Sequence, residues 1–178
     1  MYKRQDNDCL LIFDEVQSGI GRTGSLMAYM GYGVTPDIST LAKGLGGGIP
    51  IGATLTTTKI AQAFQPGTHG STFGGQPLAC EVAKKVVEII SNKKVLTGVI
   101  QKTIKFNQKL NKLSEKYNLF KDIRSAGLWI CCDFKKIKAT DFINECYKKR
   151  LILVQASGDK TIRSVSYTHL RAHETLIY

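Results

Sequence analysis

The stretch LIFDEVQSGIGRTG, residues 11–24, places two carboxylates, Asp14 and Glu15, at the end of an apolar run and follows them with a glycine-rich turn. An unbroken apolar run bounded by turn formers reads as a buried strand, here residues 10–13. The carboxyl edge of such strands in open α/β sheets is where ligands bind. One chemistry with this arrangement is the Walker B site of nucleotide hydrolases, in which the aspartate holds Mg²⁺ and the glutamate activates water. That reading requires a partner loop GxxxxGK[ST], and the sequence has none. It also leaves two later segments, LAKGLGGG and HGSTFGG, without a task.

Those two segments carry the other side chains suited to chemistry. Lys43 follows a strand-like stretch, residues 38–41, and precedes a glycine run that lets backbone approach closely. Ser71 and Thr72 offer hydroxyls beside Gly70, Gly74 and Gly75. An amine for a Schiff base, a carboxylate facing a ring nitrogen and donors for a phosphate are the set that pyridoxal phosphate needs. Lys43 suits the first task, Asp14 the second, and Ser71 with Thr72 the third. This reading uses all three segments.

The elements that must position these groups alternate along the chain. Strands are expected at 10–13, 38–41, 51–57 and 151–154, with two short ones around Gly127 within 123–134. Short helices are expected at 26–32 and 58–63, and the stretch 65–76 reads as a loop. GLGGG after Lys43 is expected to be irregular. Residues 78–91 read as a helix whose apolar positions, Leu78, Val82, Val86, Ile89 and Ile90, fall near 3.6-residue spacing. Longer and shorter helices are expected at 96–117 and 140–149. A glycine-rich half gives way to a lysine-rich one near residue 91.

Composition bounds the function. The chain has 178 residues, 43% of them hydrophobic, which suits a packed core rather than disorder. The net charge of +11 comes from lysines on helical patterns without interleaved aromatic residues, so a solvated face is expected and no nucleic acid. No apolar run reaches membrane-spanning length. Five cysteines without metal spacing read as reduced thiols of a cytoplasmic protein. Residues 1–5 and 164–178 resemble translated sequencing-adapter DNA, so both are expected to be non-native tails flanking an internal fragment of a longer protein. His169 and His173, at helical metal-ligand spacing, fall in the second tail, and no metal site is expected.

Taken together, FDEVQSGIGRTG, YGVTPDISTLAKGLGGGIPIGA, PGTHGSTFGGQPLAC, DIRSAGLWI and KTIR resemble the class III pyridoxal-phosphate-dependent aminotransferases, and within them the acetylornithine branch. The resemblance implies an α/β fold: the C-terminal part of a fold-type I large domain over residues 6–91, then a partial α+β small domain over 92–163. It implies pyridoxal 5'-phosphate held covalently by Lys43, which then shuttles a substrate proton. Asp14 would pair with the pyridine nitrogen, Val16 pack on the ring, and Gln17 bond the phenolic oxygen. Thr72 would bind the phosphate across a homodimer interface, Ser71 touch the acylated substrate, and Arg163 grip a substrate carboxylate. Glu15 and Arg22 would support the loop, and Gly127 a bend. The implied reaction moves the terminal amino group of N-acetylornithine to 2-oxoglutarate, giving glutamate, in arginine biosynthesis. Ornithine, succinylornithine and 4-aminobutyrate aminotransferases share much of the pattern. A fragment lacking the amino-terminal half is expected to be inactive and to expose apolar surface. The contrasting readings are a nucleotide hydrolase fragment and a truncated product without catalysis.

Overall fold

The structure, a computed structural model, describes residues 4, 6–150 and 155–165. The strand expected at 151–154 and the pair His169 and His173 lie outside the described residues. The chain divides into two compact units. One holds the described residues up to Gly21 and those of Ser25–Lys93; the other holds Arg22–Gly24 and the described residues from Lys94 onward.

In the first unit, β1 (Ile12–Asp14) pairs in parallel with β2 (Ile38–Leu41), and β2 pairs antiparallel with β3 (Ala53–Thr56). Asp14 stands opposite Thr40. β1 is an edge of this three-stranded sheet, and Leu10 and Ile12 remain exposed. The expectation of a buried strand therefore fails at β1: Ile12 and Asp14 are exposed and Phe13 half-buried, so one face of the strand is uncovered. Between β1 and β2 the loop turns through a 3-10 helix, Ala28–Tyr32, ended by Gly33 in a left-handed conformation. After β3 comes one helical turn, α1 (Thr58–Ala61). A long exposed loop leads to α2 (Pro77–Ile90). Proline at the first helical position costs no hydrogen bond, and the Gln76 amide oxygen accepts from Ala79 N at 2.6 Å to cap the helix. The buried side of α2 carries Ala79, Ala83 and Ile90, whereas Leu78 and Ile89 are exposed. The apolar stripe read from the sequence is thus shifted: Ala79 and Ala83 join Ile90 on the buried side, Val82 and Val86 are half-buried, and Leu78 and Ile89 fall outside it.

Besides Arg22–Gly24, the second unit holds α3 (Lys93–Tyr117) from Lys94 onward, with Val99 and Thr103 buried. β4 (Phe120–Ala126) and β5 (Trp129–Phe134) form a hairpin, followed by α4 (Ala139–Lys148), β6 (Gln155–Ala156) and β7 (Thr161–Val165). The sheet order is β4-β5-β7-β6, antiparallel throughout. β6 and β7 were not expected as strands, and β7 extends through Ser164 and Val165, beyond residue 163. Alternation along β5 sends Ile130, Cys132 and Phe134 into a core with Phe120, Ala139 and Ile162. The Phe134 ring meets Phe120 at 5.1 Å and Phe142 at 5.0 Å between centroids. Burial pushes the Cys132 thiol up to about 11, an inert structural position. None of the five cysteines forms a disulfide.

Candidate active site

β1 and β2 run in the same direction, so their last residues share one edge of the sheet. Asp14 ends β1, and Lys43 stands two residues beyond the end of β2. The Asp14 side chain is fixed on one side only. Its Oδ1 accepts from Val16 N at 3.0 Å and from Thr40 Oγ1 at 3.2 Å. Its Oδ2 has no hydrogen-bond donor among the described residues. Lys43 is exposed, and its amine has neither ion pair nor hydrogen bond among the described residues.

The backbone at Lys43 is strained. Its φ is 47°, in the left-handed region that non-glycine residues rarely occupy. Lys43 opens a 3-10 turn, Lys43–Gly46, in which Leu45 N donates to Ala42 O at 3.0 Å and Gly47 N to Gly44 O at 3.2 Å. The glycine run is therefore more regular than its composition suggested. Its glycines answer to packing: a Cβ at Gly46 would stand 3.0 Å from Ile51 Cγ2, and one at Gly47 3.1 Å from Val86 Cγ2. Ile20, a β-branched residue, is also left-handed at φ 53°. Strain of this kind persists only where surrounding structure enforces it and gathers at functional sites.

Glu15 has a separate task. It is 3% exposed, and its carboxylate accepts from Ser18 Oγ at 2.7 Å, Ala28 N at 3.1 Å and Tyr29 N at 2.9 Å. The amides belong to the start of the 3-10 helix, so Glu15 ties the loop shut as expected. Val16 and Gln17 are half-buried just past Asp14. Ser71 and Thr72 lie on the exposed loop, where Gly74 N donates to Ser71 O at 3.2 Å; their hydroxyls have no partner among the described residues. Arg163 belongs to the second unit. It is half-buried on β7, with Nη2 donating to Gln155 Oε1 at 2.9 Å and Cζ 5.9 Å from the Trp129 ring centroid. The sequence reading missed Thr40, whose contact with Asp14 depends on strand register that a single sequence does not display.

A carboxylate and an unpaired amine thus stand at the carboxyl edge of parallel strands, beside a glycine-lined turn, the edge at which open α/β sheets bind ligands. The pattern of the class III aminotransferases (Aminotransferase class-III) matches residues 4–175, and the chain belongs to that family. It is 47% identical over 157 residues to acetylornithine aminotransferase of Pseudomonas putida, covering 86% of this chain and 39% of that protein. It is 52% identical over 153 residues to succinylornithine transaminase of Photorhabdus laumondii, covering 84% and 38%. Among solved structures, N-acetylornithine aminotransferase from Stenotrophomonas maltophilia superposes with a TM-score of 0.85 at 29% identity, over 98% of this chain and 46% of that one. The acetylornithine aminotransferase from Elizabethkingia anophelis gives 0.84 at 33%, over 97% and 44%. The chain thus spans about two fifths of the length of the curated relatives it matches.

Class III aminotransferases depend on pyridoxal phosphate. The donor set fits that group: Asp14 offers an uncommitted carboxylate oxygen, and Lys43 an amine without a counter-ion. Among the described residues no helix is long and apolar enough to cross a membrane.

Proposed function

We propose that the full-length protein containing this segment is a homodimeric cytoplasmic transaminase. It moves the terminal amino group of N-acetylornithine to 2-oxoglutarate in arginine biosynthesis. The observation that carries this reading is the placement of Asp14 and Lys43 on one edge of a parallel strand pair, the lysine strained and without an ion-pair partner. Relatives named for succinylornithine are as similar as those named for acetylornithine, so N-succinylornithine is the competing donor.

Pyridoxal phosphate, when bound, supplies an electron sink for the charge that develops as the substrate proton leaves. Asp14 Oδ2 holds the pyridine nitrogen in its protonated form, while Thr40 and the Val16 amide hold Oδ1. Val16 packs on the ring face, and Gln17 donates to the phenolic oxygen. Thr72 binds the phosphate in the other subunit's site, and Ser71 touches the acyl group. Lys43 Nζ would hold the cofactor, and as a free amine it would take the proton from the amine-bearing carbon of the substrate and return it. Arg163 grips a substrate carboxylate through two parallel N–H donors.

The test is the visible absorbance of the full-length protein supplied with cofactor, before and after borohydride, beside Lys43→Ala. A yellow band trapped by borohydride in the wild type and missing in the variant is expected. N-acetylornithine should bleach it faster than N-succinylornithine. A folded protein that takes up cofactor without a trappable band would end this reading; faster bleaching by N-succinylornithine would reassign the donor.

A further inference from the structure

Asp14, Thr40 and Thr54 stand in one row across the three-stranded sheet, Asp14 opposite Thr40 and Thr40 opposite Thr54. Residues in register on neighbouring strands share a face. Thr40 Oγ1 donates to Asp14 Oδ1 at 3.2 Å. Thr54 is two strands from Asp14, about 9–10 Å away, too far to touch the carboxylate. A carboxylate turns about its Cβ–Cγ bond in a broad two-fold torsion, and that turn decides which oxygen meets a ligand. Two donors converge on Oδ1 and hold it. The Val16 amide, at 3.0 Å, comes from the turn that Asp14 itself opens, so it fixes the carboxylate only to its own loop. Thr40 belongs to β2, the central strand, which is paired on both sides. The chain leaving that strand leads directly to Lys43.

We propose that Thr40 is a positioning residue: its hydroxyl ties the Asp14 carboxylate to the strand that leads to Lys43, so that Oδ2 and the lysine amine are held in one frame for the same cofactor. The proposal rests on the roles given to Asp14 and Lys43 above. Water reaches the Thr40–Asp14 bond, so the bond adds little to the stability of the empty protein. A cofactor covering the row excludes that water and strengthens the bond. A positioning role therefore shows in cofactor affinity and leaves the melting temperature alone. A role in strand packing does the reverse, and valine, β-branched like threonine, would fulfil it.

The test uses the full-length protein freed of cofactor and titrated with pyridoxal 5'-phosphate, the dissociation constant being read from absorbance. Thr40→Val is expected to weaken binding about ten-fold, with the melting temperature of the empty protein unchanged. Thr40→Ser keeps the hydroxyl and should bind nearly as the wild type does. Thr54→Val, on the same row, should bind as the wild type does. In an Asp14→Ala background, Thr40→Val should cost nothing further, because the group it positions is gone. In turnover, Thr40→Val should lower kcat and leave the donor KM nearly unchanged. The proposal falls, and the reading of Asp14 and Lys43 stands, if Thr40→Val binds as tightly as the wild type or if Thr40→Ser is as weak as Thr40→Val. It falls likewise if Thr54→Val loses as much, or if the loss survives undiminished in the Asp14→Ala background. If Asp14→Ala binds the cofactor unimpaired, the role of Asp14 falls with it. Should Thr40→Val fail to fold, Thr40→Ala carries the same comparison.

Discussion

Two adjacent carboxylates, one ending β1 and the other opening the loop after it, have opposite surroundings. Asp14 is exposed with one oxygen uncommitted, whereas Glu15 is buried and accepts from three donors. A buried carboxylate is tolerated only when hydrogen-bonded in this way. Replacing Glu15 by alanine strands the Ala28 and Tyr29 amides, so Glu15→Ala should lower stability by roughly 2–4 kcal/mol. Glu15→Gln, which keeps one acceptor, should cost less. Urea unfolding midpoints check the order, and hydrogen exchange at Ala28 and Tyr29 should quicken in the alanine variant. Unchanged exchange would mean that those amides draw no protection from Glu15. The doublet itself, the lysine just past the end of β2 and the loop-supporting task of Glu15 were legible in the sequence. Thr40 was not, because its contact with Asp14 arises from pairing between strands far apart in the chain.

At the scale of elements, hydrophobic period and turn residues located most helices and strands, and errors fell where tertiary packing overrides them. α2 shows this: the period was helical, yet Ala79 and Ala83 are buried and Leu78 is not. The β4–β5 hairpin shows it again. Gly127 was expected at a bend and lies there with φ 60°. What the sequence did not convey is the chain that crosses it. A Cβ on Gly127 would stand 2.3 Å from Arg22 O and 2.5 Å from Thr23 Cα, and Leu128 N donates to Arg22 O at 3.0 Å. Gly127→Ala therefore meets both a left-handed backbone and rigid backbone atoms. It should destabilise the protein by roughly 2–4 kcal/mol, measured by thermal unfolding. A shift below about 1 kcal/mol would show that residues 22–24 yield easily.

For the whole molecule, the glycine-rich to lysine-rich transition near residue 91 was legible and lies beside the change of unit at 93/94. The excursion of Arg22–Gly24 into the second unit was not, since nothing in three residues announces a partner a hundred positions away. The chain consequently passes between the units at 21/22, 24/25 and 93/94. This arrangement has a consequence for protease cutting. A single nick in the exposed turn at 91–92 leaves the amino-terminal piece still holding Arg22–Gly24, which is embedded in the other piece through Gly127, Leu128 and, at Gly24, Ile100. The nicked halves should run as one species on a sizing column and part only in denaturant, whereas separation in native buffer would show that the embedded segment binds too weakly to hold them.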